Sequence, residues 1–595
     1  MRNINKKTVL NHLKQDNCFF FYLYSLIIIS LIIISYKIQV QMTMGPMWDA
    51  FDFLANAKYF AGQGFGYIDP NRPPFLSVLT SLIFRMGYDS EIVIFIVDGV
   101  LFFIGVIGLY LFFNLRFKPI LSFIGSLIYC SFPVILLWAG AGYSDVASTS
   151  LSIWTLYLIV LAVKRNNKYY YLSFPIFALA FFTRFPSVII IFPLILYIMI
   201  TNHLKDIKEI IMGIFISLLI SIPFLSFFHK IFANPLLPLL SFYGTTVTAT
   251  DGPKFAYNPD DFFYIKNFIY SFINLDFLNN PTFIVKLLFI LLAIFMVYVI
   301  ILGIYIYIRR ILTTSKLKSS LRGIIHIKTL LVVLAVIMLI FTFYKENYLF
   351  SILFFSIICF LLFKLLNNHN LKYFDLDMLF ILWFFSFLIF NSIFDVKVIR
   401  YFIPMAPAIA YFTLIGLNEF IERFNFKLMN INIKNIIYFI FIVSLLISTF
   451  HFIFQLEHDP IANGQNFKFE KSLDKSQFKF TSFSKPFSGE LYFETYNTHE
   501  SFNILNKWFE NYDPDYKKKI IYSDYFWPHL RWYLKTEIGV ININNIENSD
   551  INDFLKNSNV DYYVTIISEV ELQNYVKIAE FKTNFGKITV YQRNS

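Results

Sequence analysis

Residues 19–38 read FFFYLYSLIIISLIIISYKI. A helix that crosses a bilayer needs about 20 mostly apolar residues, and this run supplies them with a single charge, Lys37, near its end. The run is too long for a signal-peptide core and no small-residue cleavage site follows it, so it is expected to stay as an anchor. The rest of the chain repeats the pattern. Of 595 residues, 57% are hydrophobic, 20% aromatic and 15% charged, against about 25% charged in an ordinary soluble domain. This composition excludes a disordered chain, a fibre, a coiled coil and a soluble globular enzyme. It predicts a polytopic α-helical membrane protein.

Further apolar runs lie at Ile92–Phe113, Ile120–Trp138, Val146–Val163, Tyr170–Phe182, Pro186–Ile200 and Ile210–Phe228. After a long polar loop come Phe283–Ile308, Thr329–Tyr344, Tyr348–Leu366, Met378–Phe394, Tyr401–Phe420 and Ile436–Phe454. The expectation is therefore about 13 transmembrane helices. Lys and Arg in short loops set direction. With Arg2, Lys6, Lys7 and Lys14 in the cytoplasm, the clusters at Arg116/Lys118, Lys164–Lys168, Lys205/Lys208, Arg309–Lys328, Lys372 and Arg423–Lys434 fall on the same side. The other side then receives loops 39–91 and 229–282 and everything beyond 454. This predicts a multi-pass plasma-membrane protein with a cytoplasmic N-terminus.

The formal charge of +11 is spent mainly between apolar runs, as a topology signal and not as a nucleic-acid face, so no nucleic-acid partner is expected. The 3 cysteines, Cys18, Cys130 and Cys359, lie in or beside apolar runs, which leaves the long polar segments without a disulfide or a Cys-based zinc site. None of the 9 histidines lies in an HExxH pattern, and no GxxxxGK[ST] loop exists to drive an ATP-powered pump.

The chain divides at about residue 454 into a membrane domain, 1–454, and a polar segment, 455–595. In the latter, KIIYS (519–523), VDYYVTI (560–566) and KITVYQ (587–592) read as strands, and Asn552–Asn557 and Glu569–Tyr575 as helices between them. A small extracytoplasmic α/β domain is expected. Its aromatic run from Tyr522 to Tyr533, with Arg531, suits either sugar stacking or packing onto the membrane part, and packing is the stronger expectation.

Residues 44–87 read MGPMWDAFDFLANAKYFAGQGFGYIDPNRPPFLSVLTSLIFRMG. After a turn at Gly45-Pro46, Asp49 and Asp52 stand one helical turn apart and share a face of a short helix. Gly62, Gly64 and Gly66 end it, Asp69–Pro74 makes a rigid elbow, and Phe75–Met86 reads as a second interfacial helix. A carboxylate under a low-dielectric roof can act as a general base, because burial moves its pKa toward working pH. The residues alone leave open whether Asp49 and Asp52 do this or merely cap a loop helix. Asp98 and Lys364, inside apolar runs, read as internal pairing or snorkelling.

The succession of Asp49, Phe53, Ala55, Ala57, a glycine-rich break and Arg72-Pro73-Pro74 resembles the first exterior loop of GT-C membrane glycosyltransferases, in the protein O-mannosyltransferase and aminoarabinose transferase branch. Three further patches resemble the same family: Asp145 in AGAGYSDVAS (139–148), Arg184 and Pro186 in FFTRFPS (181–187), and Arg400, Tyr401, Pro404 and Pro407 in VKVIRYFIPMAPAIA (396–410). The resemblance covers residues 1–454 in layout and these patches in residues. It implies a GT-C-like fold and inverting transfer of a sugar from a polyprenyl (dolichyl-type) phosphate donor to an acceptor outside the cytoplasm. The acceptor, a protein, lipid or glycan, is left open.

By the same resemblance the leading carboxylate is Asp49, with Asp52 and Asp145 as further catalytic candidates. Arg72, Arg184, Lys397, Arg400 and Tyr401 are the candidates for holding the lipid phosphate. Some relatives carry a metal-binding Glu where this chain has Asn71, so a divalent metal stays an option and no other cofactor is implied. Two rivals remain: a transporter or flippase, and a polymerase or ligase of lipid-linked glycans. Lys254, Asp260 and Asp261, in a Gly/Thr/Asp-rich stretch, are candidate contacts of a mobile cover.

Overall fold

The computed structural model describes residues 6–238, 262–273, 324–458 and 498–594, less 47, 65–67, 367–371, 395–396, 424–426, 429–430, 525–526, 542–550, 553, 556–557, 566–571 and 584–585. The apolar runs that fall among the described residues become helices. The first ten are α1 (Lys6–Met44), α2 (Trp48–Ala61), α3 (Phe75–Arg85), α4 (Ile92–Phe113), α5 (Pro119–Ser131), α6 (Pro133–Trp138), α7 (Ser144–Lys164), α8 (Tyr170–Thr183), α9 (Ile191–Ile200) and α10 (Ile207–Phe232). After the next described stretch come α11 (Ile324–Tyr344), α12 (Tyr348–Leu366), α13 (Phe374–Ile393), α14 (Ala406–Glu422) and α15 (Ile433–His458).

Among the described residues eight helices are long and apolar enough to cross a membrane, fewer than the expected 13 or so. The run Phe283–Ile308 lies outside the described residues. Ile120–Trp138 is not one span: Phe132, extended ahead of Pro133, splits it into α5 and α6. Tyr170–Phe182 and Pro186–Ile200 are a 14-residue helix and a 3-10 turn, Phe185–Ile190, that runs into α9.

Burial sorts the helices. In α7, 89% of the span is buried, against 22% in α1 and α10, so α7 is the central post and the other two turn apolar faces outward. A central helix must satisfy its own polar groups. The hydroxyls of Ser150, Ser152 and Thr155 donate to the carbonyls of Val146, Ser148 and Leu151 in the preceding turn. Small residues let α4 approach it closely: a Cβ on Gly105 would stand 2.2 Å from the Ser150 Oγ.

An ionic cluster closes one end of the bundle. At the end opposite α2, Arg116 donates to Asp377 and Tyr411, and the Tyr411 hydroxyl donates to Asp377 at 2.8 Å. Beside them Lys164 pairs with Asp375 at 2.9 Å. This cluster ties the connection between α4 and α5 to α7, α13 and α14 and closes that end.

The polar C-terminal segment folds around a five-stranded sheet. After a two-residue hairpin, β1 (Lys427–Leu428) and β2 (Ile431–Asn432), ahead of α15, its strands are β3 (Ile521–Ser523), β4 (Ile538–Val540), β5 (Tyr562–Thr565), β6 (Tyr575–Thr583) and β7 (Gly586–Arg593), in the order β4-β3-β5-β7-β6. β3 is parallel to both β4 and β5, and β7 is antiparallel to β5 and β6. Helices α16 (Thr498–Tyr512) and α17 (Trp527–Leu534) flank the sheet. The three expected strands are present. The expected helix Glu569–Tyr575 is not: 569–571 lie outside the described residues, Leu572 to Asn574 form a turn, and Tyr575 opens β6. Only Tyr575 is shared with the strand, whose aromatic and β-branched run YVKIAEFKT pairs with β7.

The expected packing of residues 522–533 onto the membrane part is present. On α17, Trp527 meets Trp48 edge-on at 6.0 Å and the His529 ring lies 4.2 Å from Phe51. The Trp532 indole donates to Glu91 at 2.7 Å. The sheet domain therefore rests on α2, and one buried apolar cluster runs from Phe51 and Phe84 to Phe502, Leu530 and Tyr533.

Candidate active site

α2 starts where Gly45, at φ +82°, turns the chain out of α1. Toward the sheet domain it turns Trp48 and Phe51, and the adjoining face carries Asp49 and Asp52. The elbow after α2 is clamped back onto it. The Asn56 amide donates to the Asp69 carbonyl at 2.8 Å, and the Asp69 N–H donates to the Asn56 Oδ1 at 2.8 Å. That clamp brings Arg72 over the two carboxylates.

The Arg72 guanidinium donates to Asp49 Oδ1 at 2.8 Å, and to Asp52 Oδ2 at 2.8 Å through one nitrogen and 3.2 Å through another. Asp69 adds a third carboxylate at 3.3 Å. From the far side, 351 residues later in sequence, Arg400 donates to Asp49 Oδ2 at 2.9 Å. Asp49 is thus gripped by two guanidiniums. Arg400 opens the 3-10 turn Ile399–Met405, which leads into α14, and its guanidinium sits 5.2 Å from the Tyr143 ring and 5.6 Å from the Trp138 ring. Arg184 occupies an extended residue between α8 and the following 3-10 turn, pairs with Asp145 in the first turn of α7, and lies 5.0 Å from the Tyr401 ring.

These groups line one cavity of about 150 Å³. Asp49, Arg72, Asp145, Arg184, Arg400 and Tyr401 all face it, with Phe53, Phe185, Pro186, Phe390 and Phe394 as its apolar wall. Asp52 is 2% exposed and stands behind Arg72, off the cavity wall. Lys397 is buried and does not line the cavity either. Lys254, Asp260 and Asp261 lie outside the described residues.

Sequence reasoning missed Tyr143, whose hydroxyl accepts from the Asp49 amide at 3.3 Å, and Asn391, whose amide donates to the Tyr401 carbonyl at 2.9 Å. Asn391 carried a usable signal, being a polar residue inside an apolar run.

The two carboxylates of α2 are electrostatically unlike. Burial alone would push Asp49 up, but the guanidiniums of Arg72 and Arg400 and the hydrogen bonds they donate outweigh it and hold Asp49 below its ordinary 3.8. For Asp52 burial wins, with Asp69 and Asp49 adding to it against the pull of Arg72, and the carboxyl is pushed up to about 7. The folded chain then holds a proton on Asp52 that the unfolded chain releases above about pH 4, so stability falls as pH rises from about 4 to about 7. The limiting slope is about 1.4 kcal/mol per pH unit. Asp52→Asn is expected to flatten the dependence of melting temperature on pH across that window. Equal slopes in variant and wild type would refute the shift.

The donor set does not fit a divalent metal. Asp49, Asp52 and Asp69 converge on the Arg72 guanidinium, which fills the place a cation would take. Among the described residues no group of three or more His, Cys, Asp and Glu is arranged to hold a metal ion.

Residues 71–227 match the family described as dolichyl-phosphate-mannose-protein mannosyltransferase. No curated relative matches the sequence. Among solved structures, ArnT from Cupriavidus metallidurans bound to undecaprenyl phosphate aligns over 95% of this chain and 97% of its own, with a TM-score of 0.57 and 10% identity. The apo state of that protein aligns with a TM-score of 0.50 and 11% identity, over 94% of this chain and 97% of its own. At such identities the likeness is one of fold, and it extends through both the helical bundle and the sheet domain.

Proposed function

We propose that this chain, a GT-C-fold membrane protein of the mannosyltransferase and ArnT type, is a glycosyltransferase that moves a sugar from a polyprenyl phosphate to an acceptor hydroxyl. The observation that carries the reading is the convergence of Arg72 and Arg400 on Asp49 in a cavity with an aromatic wall. Two guanidiniums that face each other across one carboxylate also suit a phosphate, through charge-assisted and bidentate hydrogen bonds.

The donor's phosphate takes Arg72 and Arg400, and their charge no longer holds Asp49 down. Asp49 is then free to accept the proton of the acceptor hydroxyl. The acceptor oxygen forms a bond to the anomeric carbon as the bond from that carbon to the phosphate oxygen breaks, with inversion. The departing electron pair stays on the polyprenyl phosphate, where the guanidiniums stabilise it. Asp49 is preferred over Asp52 as base despite the latter's higher pKa, because reach comes before pKa and Asp52 stands off the cavity wall. Asp145, paired to Arg184 on the opposite wall, orients the sugar or the acceptor.

The site opens on the extracytoplasmic side of a plasma membrane, with the N-terminus in the cytoplasm and the sheet domain outside. This placement is supported by the basic clusters at Arg116, Lys118 and Lys164, which gather at the end away from the cavity.

The reading is tested by equilibrium binding of polyprenyl phosphate and of the polyprenol of the same length to the purified protein in lipid. The phosphate should bind at least about tenfold tighter, as a charge-assisted pair worth about 1.5–3 kcal/mol requires. Equal affinity would remove the phosphate site.

A further inference from the structure

Asp98 lies within the span α4 and is fully buried, and the transfer chemistry makes no use of it. Its Oδ2 accepts from the backbone amides of Ala141 at 3.1 Å and Gly142 at 3.2 Å. Both belong to the turn 139–143 between α6 and α7. That turn is wedged tightly. Gly140 and Gly142 stand at φ +66° and +81°, and a Cβ on Gly142 would come 3.0 Å from Ile94 and 3.3 Å from Ala50 of α2. The turn delivers Tyr143 to the Asp49 amide and to Arg400, and then Asp145 to Arg184.

A second buried polar group, Lys37 of α1, holds the turn that leads into α2. Lys37 donates to Gln41 Oε1 at 2.7 Å, and the Gln41 amide donates to the Gly45 carbonyl at 2.8 Å. Gly45 is the left-handed residue from which the chain enters α2. Two buried sets of hydrogen bonds therefore hold two turns that are about 95 residues apart in sequence: Asp98 holds the one before α7, and Lys37 with Gln41 the one before α2. From one emerges Asp49, and from the other Tyr143 and Asp145.

We propose that Lys37, Gln41 and Asp98 are positioning residues: buried groups beneath the cavity that hold the turn before α2 and the turn before α7, and so fix the distance between the α2 carboxylate and the Tyr143–Asp145 wall. The network acts through the hydrogen bonds to the two turns, so an acceptor oxygen at position 98 is what it requires. The kinetic part of this proposal rests on the transferase reading; the effect on the backbone does not.

The test uses the full chain in lipid nanodiscs with four variants: Asp98→Ala, Asp98→Asn, Asp98→Asn with Lys37→Met, and Gln41→Met. Hydrogen exchange is followed over residues 45–52 and 139–145, together with kcat and KM for transfer. In Asp98→Ala the amides of Ala141 and Gly142 should exchange at least about tenfold faster, as a locally opened turn does. Its kcat should fall about 100-fold, the scale of an ångström misplacement, with KM within about threefold. Asp98→Asn keeps the acceptor oxygen but removes a negative charge from the buried interior that also holds the Lys37 ammonium. Combined with Lys37→Met, it should restore both the exchange protection and a rate within about fivefold of wild type.

Wild-type exchange at 139–145 in Asp98→Ala would overturn the proposal, as would a double variant no better than Asp98→Ala. If Asp98→Ala does not fold, Gln41→Met decides: faster exchange at 45–49 supports the network, and unchanged exchange overturns it. If the wild type transfers no sugar from any donor, the transferase reading fails while the exchange result still decides this one.

Discussion

Asp49→Asn is expected to lower the transfer rate by about 10²–10⁴-fold, the usual contribution of a positioned general base. The amide keeps the size of the carboxylate, and its one oxygen can still accept from Arg72 or from Arg400, while its NH2 gives up the bond to the other. What it loses is the capacity to take a proton. It also loses the negative charge that competes with phosphate for the two guanidiniums, so polyprenyl phosphate should bind to the variant as tightly as to wild type or more so. Transfer assays and binding of the free lipid phosphate, run side by side, separate these effects. A variant that transfers at the wild-type rate would move the base to Asp145, the other carboxylate on the cavity wall. A variant that loses phosphate binding together with transfer would make Asp49 part of the donor's cradle instead.

The second large effect is expected at Arg400. Its guanidinium is fixed by Asp49 and by the faces of Trp138 and Tyr143, so it is held ready before any charge develops on the leaving phosphate. Removing one preorganised donor of this kind costs about 10²–10³-fold in kcat. Arg400→Ala should show that loss together with weaker phosphate binding. Arg400→Lys should fall between, because an ammonium keeps the charge and loses the planar fork and its stacking on the rings. An Arg400→Lys variant as poor as the alanine variant would mean that geometry, not charge, is what the site takes from this residue. A wild-type rate in Arg400→Ala would remove Arg400 from the reaction.

Several of these residues were legible in the sequence because their signals are local. Asp49 and Asp52 at helical spacing, the Arg72-Pro73-Pro74 elbow and the Arg400-Tyr401 pair at a span's start can each be read from a dozen residues. The apolar runs likewise mark helices wherever the chain is described, since length and composition suffice. Partnerships across the chain were not legible. That Arg400 closes on Asp49, or that Asp98 holds the turn before α7, depends on how α4, α7 and the turn after α13 are stacked, and no spacing records it. The same limit explains Lys397. Three residues before Arg400 it reads as a second cation for the phosphate, yet the bend into the 3-10 turn sends the two side chains to different places. It also explains β6, whose residues form a strand because β7 stands beside them. The packing of α17 on α2 was within reach, since an aromatic-rich segment seldom stays uncovered, but its target was not.

The C-terminal domain gains a defined task from that contact. Trp527, His529 and Tyr533 cover Trp48 and Phe51, on the face of α2 that adjoins the one carrying Asp49 and Asp52. The carboxylates are thus presented by a helix braced by the sheet domain and by Arg72.

The most direct test of the central claim is sugar transfer by the purified wild-type protein in lipid, from a panel of radiolabelled polyprenyl-phosphate sugars, with release of the free polyprenyl phosphate as readout. At least one donor should give up its sugar with inversion at the anomeric carbon. No release from any member of the panel, by protein shown to be folded and to bind acceptor lipids or glycans, would contradict it.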